Sequence, residues 1–205
     1  MSATGWKKQV RWGAALSALA LGAVVAGCGH MPLRSMVKLA KVDFSTTALA
    51  DIGAGVTLPF YLKPRPNRTR LEVKVEVGGE RMQEDVVLSE ETDPVRIAEL
   101  NGVSKGQPGI TYAYRLSRES IAELEAIRTR ALAFKASHKA ANGSLTIAIK
   151  PDVCRVGPIP AGAVLFTTYL RTSETGGFVT FLRDVDMRGV VDGVDVVEKI
   201  EPCAE

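Results

Sequence analysis

Residues 70–77 read "RLEVKVEV", in which Leu71, Val73, Val75 and Val77 alternate with Glu72, Lys74 and Glu76. A period of two puts the four aliphatic side chains on one face of an extended strand and the charges on the other. A strand with one wet face belongs in an antiparallel sheet, because parallel sheets are covered on both sides. Residues 144–150, "SLTIAIK", repeat the pattern with Leu145, Ile147 and Ile149. Working outward, further strands are expected at 36–44 ("MVKLAKVDF"), 84–90 ("EDVVLSE"), 110–116 ("ITYAYRL"), 163–171 ("AVLFTTYLR") and 177–184 ("GFVTFLRD"). Gly78-Gly79, Asn142-Gly143 and Gly176-Gly177 supply turn chemistry between them, and "TSETGG" at 172–177 reads as a hairpin loop.

One segment carries a different period. Residues 117–143, "SRESIAELEAIRTRALAFKASHKAANG", place Leu124, Ile127, Ala131 and Phe134 at three- and four-residue steps, a stripe suited to lying on a sheet. Ser117 is a fitting N-cap, Glu119 and Glu123 come early, Lys135 and Lys139 come late, and Gly143 lies beyond the end. A helix is therefore expected at about 118–138. The fold class that follows is mainly β with one long helix (α+β): an antiparallel β-sandwich or curled sheet, of which an immunoglobulin-like arrangement is one form.

The chain of 205 residues is 46% hydrophobic and 24% charged, the composition of one globular domain rather than of a disordered segment. Its formal charge is +3, from 26 basic and 23 acidic residues. Lys7, Lys8 and Arg11 precede the first acidic residue, Asp43, so the excess belongs to the leader and the remainder is neutral. Nucleic-acid binding thereby loses its electrostatic support. The leader itself has a positive stretch, "MSATGWKKQVRW", an uncharged run, "GAALSALALGAVVAG" (13–27), and then Cys28. Such a run rises only about 22 Å as a helix, short of a bilayer core, and matches the apolar region of a secretory signal.

Val25, Ala26, Gly27 and Cys28 read "VAGC", which resembles the lipobox of bacterial lipoproteins. The resemblance covers the leader alone. It implies a cleaved signal peptide at 1–27, acylation of Cys28, a short tether at 28–35 and a single β-rich periplasmic domain at 36–205. More than one acyl chain on one residue gives the stable anchoring that a single chain cannot. No later stretch reaches 18 uninterrupted apolar residues, so the lipid would be the membrane attachment. Gly29, rather than Asp, after the cysteine implies sorting to the periplasmic face of the outer membrane in a Gram-negative cell. Cys154 and Cys203 then remain as an even pair in an oxidising compartment, and a disulfide closing a loop of about 50 residues is expected.

Four features are candidates for chemistry. "GVSKG" (102–106) matches the G-x-S-x-G of a hydrolase elbow at Ser104, but Pro108 and a strand follow where a helix is needed, so a glycine-serine loop is the better reading. Asp184, Asp186, Gly189, Asp192 and Asp195 fall at the spacing of a calcium loop. Arg188 occupies a ligand position there, and the competing reading is an acidic loop in which Arg188 pairs with Asp186. Lys63, Arg65, Arg68 and Arg70 form a cationic run that either contacts an anionic surface or is simply solvated. His138 belongs to a helix C-terminus, where it suits the dipole, and His30 lies beside the anchor in a segment expected to be flexible. No triad, phosphate cradle, thiolate cluster or cofactor motif is present. The sequence thus reads as a lipid-anchored envelope protein that binds an envelope protein, a cell-wall component or a small ligand without catalysis. The rival readings are an envelope hydrolase and an accessory subunit of a transport or assembly complex.

Overall fold

The computed structural model describes residues 30–138, 143–189 and 196–204. Helix α1 spans Leu33–Leu39, α2 Pro94–Ser104 and α3 Arg118–Ser137. The strands are β1 Gly53–Leu58, β2 Leu62–Pro64, β3 Arg70–Val77, β4 Glu80–Glu90, β5 Ile110–Leu116, β6 Gly143–Lys150, β7 Val153–Arg155, β8 Leu165–Arg171 and β9 Val179–Asp186. Seven of them form one antiparallel sheet in the order β6-β3-β4-β5-β1-β8-β9, and β2 pairs with β7 in a separate ribbon. The expected class, a mainly β, α+β fold, takes its curled-sheet form.

The stretch at 70–77 is β3, and its aliphatic face is buried throughout, with Leu71 at 1% and Val73 at 2% exposure. It pairs in full register with both neighbours, Leu71 opposite Val86 on β4 and opposite Ile149 on β6. That apolar face receives α3, whose Leu124 and Ile127 are fully buried and whose Ala131 is nearly so. Burying each larger side chain stabilises the fold by about 1.5–3 kcal/mol. Ser117 caps α3 by accepting a hydrogen bond from Ser120 N at 3.1 Å, and Ser120 Oγ donates to Val87 O at 2.7 Å, pinning the helix start to β4.

Several elements depart from the sequence-based expectation, the ribbon strands β2 and β7 among them. The strand expected at 36–44 is instead α1 followed by turns, entered from Pro32 in extended conformation. Ser35, Met36, Leu39 and Val42 turn inward at helical spacing, while Leu33, Arg34, Val37, Lys38 and Lys41 are exposed. Strand β1 is buried on both faces: Ala54, Val56 and Leu58 join the α3-side core, while Gly53 and Gly55 leave room on the other. Helix α2 fills that room. A Cβ at Gly55 would stand 2.8 Å from both methyl carbons of Leu100, which packs with Tyr169 and Phe178. Asp93 caps α2, accepting from Val95 N at 2.9 Å, with Pro94 opening the helix.

The segment beginning at His30 is docked rather than flexible. Arg183 N on the outer edge of β9 donates to His30 O at 2.6 Å, and His30 Nδ1 lies 2.9 Å from Arg183 O. Both main-chain groups of one edge residue are thus satisfied, which blunts the free edge of the sheet.

Candidate functional site

The short β2–β7 ribbon runs Leu62 opposite Arg155 and Pro64 opposite Val153, and Arg65 N extends it by donating to Asp152 O at 2.8 Å. The C-terminal tail lies along the ribbon's other side. Arg155 N donates to Glu201 O at 2.9 Å, Cys203 N to Arg155 O at 3.0 Å, and Arg155 Nε to Ile200 O at 3.1 Å. Cys154 and Cys203 are disulfide-bonded across this junction, with Cα atoms 4.9 Å apart, as their pairing in the sequence led one to expect.

Between the ribbon, the tail and the sheet opens a cleft of about 650 Å³. Curling of the sheet brings Ile149 and Lys150 of β6 and Phe166 of β8 to one cleft, although four strands, β3, β4, β5 and β1, separate β6 from β8 in the sheet order. Ile149, Val153, Phe166, Met187 and Ile200 give the cleft apolar surface, while Arg65, Arg68, Lys150 and Lys199 bring cations and Asp152 and Glu201 anions. Four cations against two anions leave an excess of two positive charges. A shelf of about 510 Å³ adjoins it, sharing Arg68, Lys150, Pro151 and Asp152 and adding Asn67 and Arg70.

The cations are not equivalent. Arg65 is committed to structure, with Nε 3.3 Å from Asp152 and Nη2 3.1 Å from Glu201. Arg68 reaches Asp152 at 3.4 Å but its side chain stays 67% exposed. Lys150 donates to Glu72 at 2.6 Å and lies 3.5 Å from Asp85. The hydrogen bond from Lys150, with Lys74 adding to it, holds the buried Glu72 carboxyl below the ordinary carboxylate range, and Glu72 raises the Lys150 ammonium in turn. Among the described residues, no ion pair engages Arg70 or Lys199. Asp152 and Glu201 are both ion-paired to Arg65, an arrangement that fixes the wall of the cleft. An apolar floor beside partly free guanidinium and ammonium groups suits a ligand with an apolar body and an anionic head.

Of the cationic run, then, Arg65 and Arg68 meet in the cleft and Arg70 on its shelf, while Lys63 is exposed on β2 away from both. The sequence reading missed Lys150 and Lys199, because charges at the end of a strand and in the tail carry no local pattern; only the curl of the sheet gathers them. Asp184 sits at a bulge opposite Thr167 with φ of 52°, its N–H donating to Thr167 Oγ1 at 3.2 Å. Asp186 accepts from Arg188 N and Val164 N, both at 3.0 Å, and these bonds lower its carboxyl pKa. The Arg188 guanidinium turns to Gly162 O at 2.6 Å. Asp192, Asp195 and Cys28 lie outside the described residues. Among the described residues no three His, Cys, Asp or Glu side chains gather as metal ligands.

Ser104 ends α2 instead of opening a helix, and its hydroxyl turns back to Asn101 O at 3.5 Å. The strand-to-helix elbow is therefore lacking at "GVSKG". His138 caps α3, with Nδ1 3.1 Å from Phe134 O and its ring stacked 4.2 Å from that of Phe134. A second charged cluster, also unread in the sequence, locks α2: Arg96 bridges Asp51 and Glu91, Arg171 bridges Asp51 and Glu99, and Glu99 accepts from Phe178 N at 2.6 Å. No helix of the described residues is long and apolar enough to cross a membrane. Comparison with protein-family models, curated proteins and solved structures finds no match for this chain.

Proposed function

We propose that this chain is a lipid-anchored envelope protein, held through Cys28 at the periplasmic face of the outer membrane, that binds an anionic, partly apolar ligand in the cleft at the seam of its curled sheet. The observation that carries the binding reading is the pairing of an apolar floor, Ile149, Phe166 and Ile200, with Arg68 and Lys199 at its margin. Both cleft carboxylates serve Arg65, which speaks for recognition over the hydrolase alternative. The anchor reading is supported by the "VAGC" sequence and by the neutral composition that follows it.

Each half has its own test. Cys28→Ala abolishes acylation and releases the protein from the membrane fraction; a variant that keeps its acyl chains by intact mass overturns the anchor. For the cleft, the acylated protein in phosphatidylcholine nanodiscs is titrated with decanoate and, as the neutral counterpart, decyl glucoside, with amide chemical shifts as the readout. Decanoate moves the resonances of Ile149, Val153 and Ile200, and Arg68→Ala weakens it about fivefold, the worth of one partly exposed charge-assisted contact of about 1 kcal/mol. Equal shifts from both amphiphiles, unchanged by Arg68→Ala, refute an anion-reading cleft.

A further inference from the structure

We infer that α1 is a membrane-contacting helix that seats the domain directly on an anionic bilayer surface, an inference that rests on acylation of Cys28. His30, only two residues beyond Cys28, is fastened to the edge of β9 through both main-chain groups of Arg183. Two residues of extended chain span at most about 7 Å, so an acylated Cys28 holds this edge of the domain within the headgroup layer. The surface that arrives there is α1. Its inward residues, Ser35, Met36 and Leu39, pack toward the core, and its outward face shows Leu33 at 80% and Val37 at 67% exposure, one helical turn apart.

Arg34, Lys38 and Lys41 flank that apolar pair, and among the described residues none of the three makes an ion pair. No acidic residue lies between His30 and Asp43 to offset them. Apolar side chains framed by cations are the composition of an interfacial helix, and each cation near an anionic surface contributes about fivefold to the partition. A seven-residue helix is too short to hold a bilayer by itself. Here the lipid supplies attachment and α1 supplies orientation, which places the domain at a defined angle instead of letting it swing. The occupant of this face is accordingly a bilayer with anionic headgroups, not a second copy of the chain.

The test exploits the cysteine arithmetic. With Cys28 in thioether linkage and Cys154 bonded to Cys203, a cysteine introduced at position 37 is the only free thiol. The Val37→Cys protein is labelled with bimane and reconstituted in phosphatidylcholine vesicles with and without phosphatidylglycerol. In the anionic vesicles the label is quenched by doxyl-lipid, and quenching by aqueous iodide falls at least threefold relative to the same protein carrying Arg34→Glu and Lys38→Glu. A label on acylated protein that iodide reaches equally in all cases overturns the membrane-contact reading and leaves the anchor standing. A label shielded from iodide yet untouched by doxyl-lipid also overturns it, since a protein surface then covers the helix. Absence of acyl chains from intact mass removes the anchor and, with it, the inference.

Discussion

Breaking the Cys154–Cys203 bond tests the tail that walls the cleft. The bond closes a loop with a sequence separation of 49. In the chain-entropy description, that closure removes about 14 cal/mol/K from the unfolded ensemble, or about 4 kcal/mol at 25 °C. Beside the bond, the tail is held by three hydrogen bonds through Arg155, by Val197, 3% exposed in the core with Val196 and Ile200 against it, and by the Arg65–Glu201 pair, whose Glu201 side chain is 77% exposed and which contributes under about 1 kcal/mol. The double variant Cys154→Ser/Cys203→Ser is compared with the oxidised protein by urea unfolding. Both tryptophans, Trp6 and Trp12, lie in the proposed signal peptide, so far-ultraviolet circular dichroism is the appropriate probe. With a urea slope of about 2 kcal/mol/M, the midpoint falls by about 2 M, and the slope rises because the uncrosslinked unfolded chain exposes more surface. A midpoint shift below about 0.5 M with an unchanged slope refutes the reasoning, since the bond would then restrain little in the unfolded chain.

Three further outcomes are expected. Gly55→Ala drives a methyl group into Leu100 and costs about 1–3 kcal/mol; combined with Leu100→Ala the two penalties are less than additive, and additive penalties in a double-mutant cycle would show that α2 does not sit against β1. Glu72 is lowered in pKa chiefly by Lys150, so its contribution is full above the unfolded carboxylate range and is lost as pH falls through the folded value; Glu72→Gln flattens the acid limb of the stability profile, and an unchanged limb contradicts the pairing. Glu99→Ala leaves Phe178 N without its acceptor and Arg171 with Asp51 as its remaining ion-pair partner among the described residues, costing about 1–3 kcal/mol by thermal unfolding, with amide exchange rising first in α2.

The parts legible in the sequence are those whose period repeats within a few residues. β3, β5, β6 and α3 emerge within a residue or two of their expected bounds, because each buries one face and wets the other. β1 is invisible to that logic, since burial on both faces leaves Gly53, Gly55 and the buried Thr57, not solvated charges, alternating with Ala54, Val56 and Leu58. α1 misleads it, because "MVKLAKV" is too short for its three- and four-residue apolar spacing to outweigh its β-branched and aliphatic content, and the docking of His30 on β9 and the inward packing of Leu39 come from distant residues. The cleft was half legible: Arg65, Arg68 and Arg70 stand together in the chain, but nothing local distinguishes the tied Arg65 from the freer Arg68.

By itself, then, the sequence determined the β-rich class, the long helix and the pairing of Cys154 with Cys203, the first two set by short-range pattern and the last by elimination once Cys28 is assigned, as proposed, to lipid. Only the tertiary structure decided that the sheet curls until β6 and β8 share a cleft, that Lys150 and Lys199 join the arginines there, and that α1 presents Leu33 and Val37 outward. Strand order rests on pairings between residues more than a hundred positions apart, as Gly53 with Arg171, and the sheet's two faces are covered by α2 and α3, which no local pattern encodes.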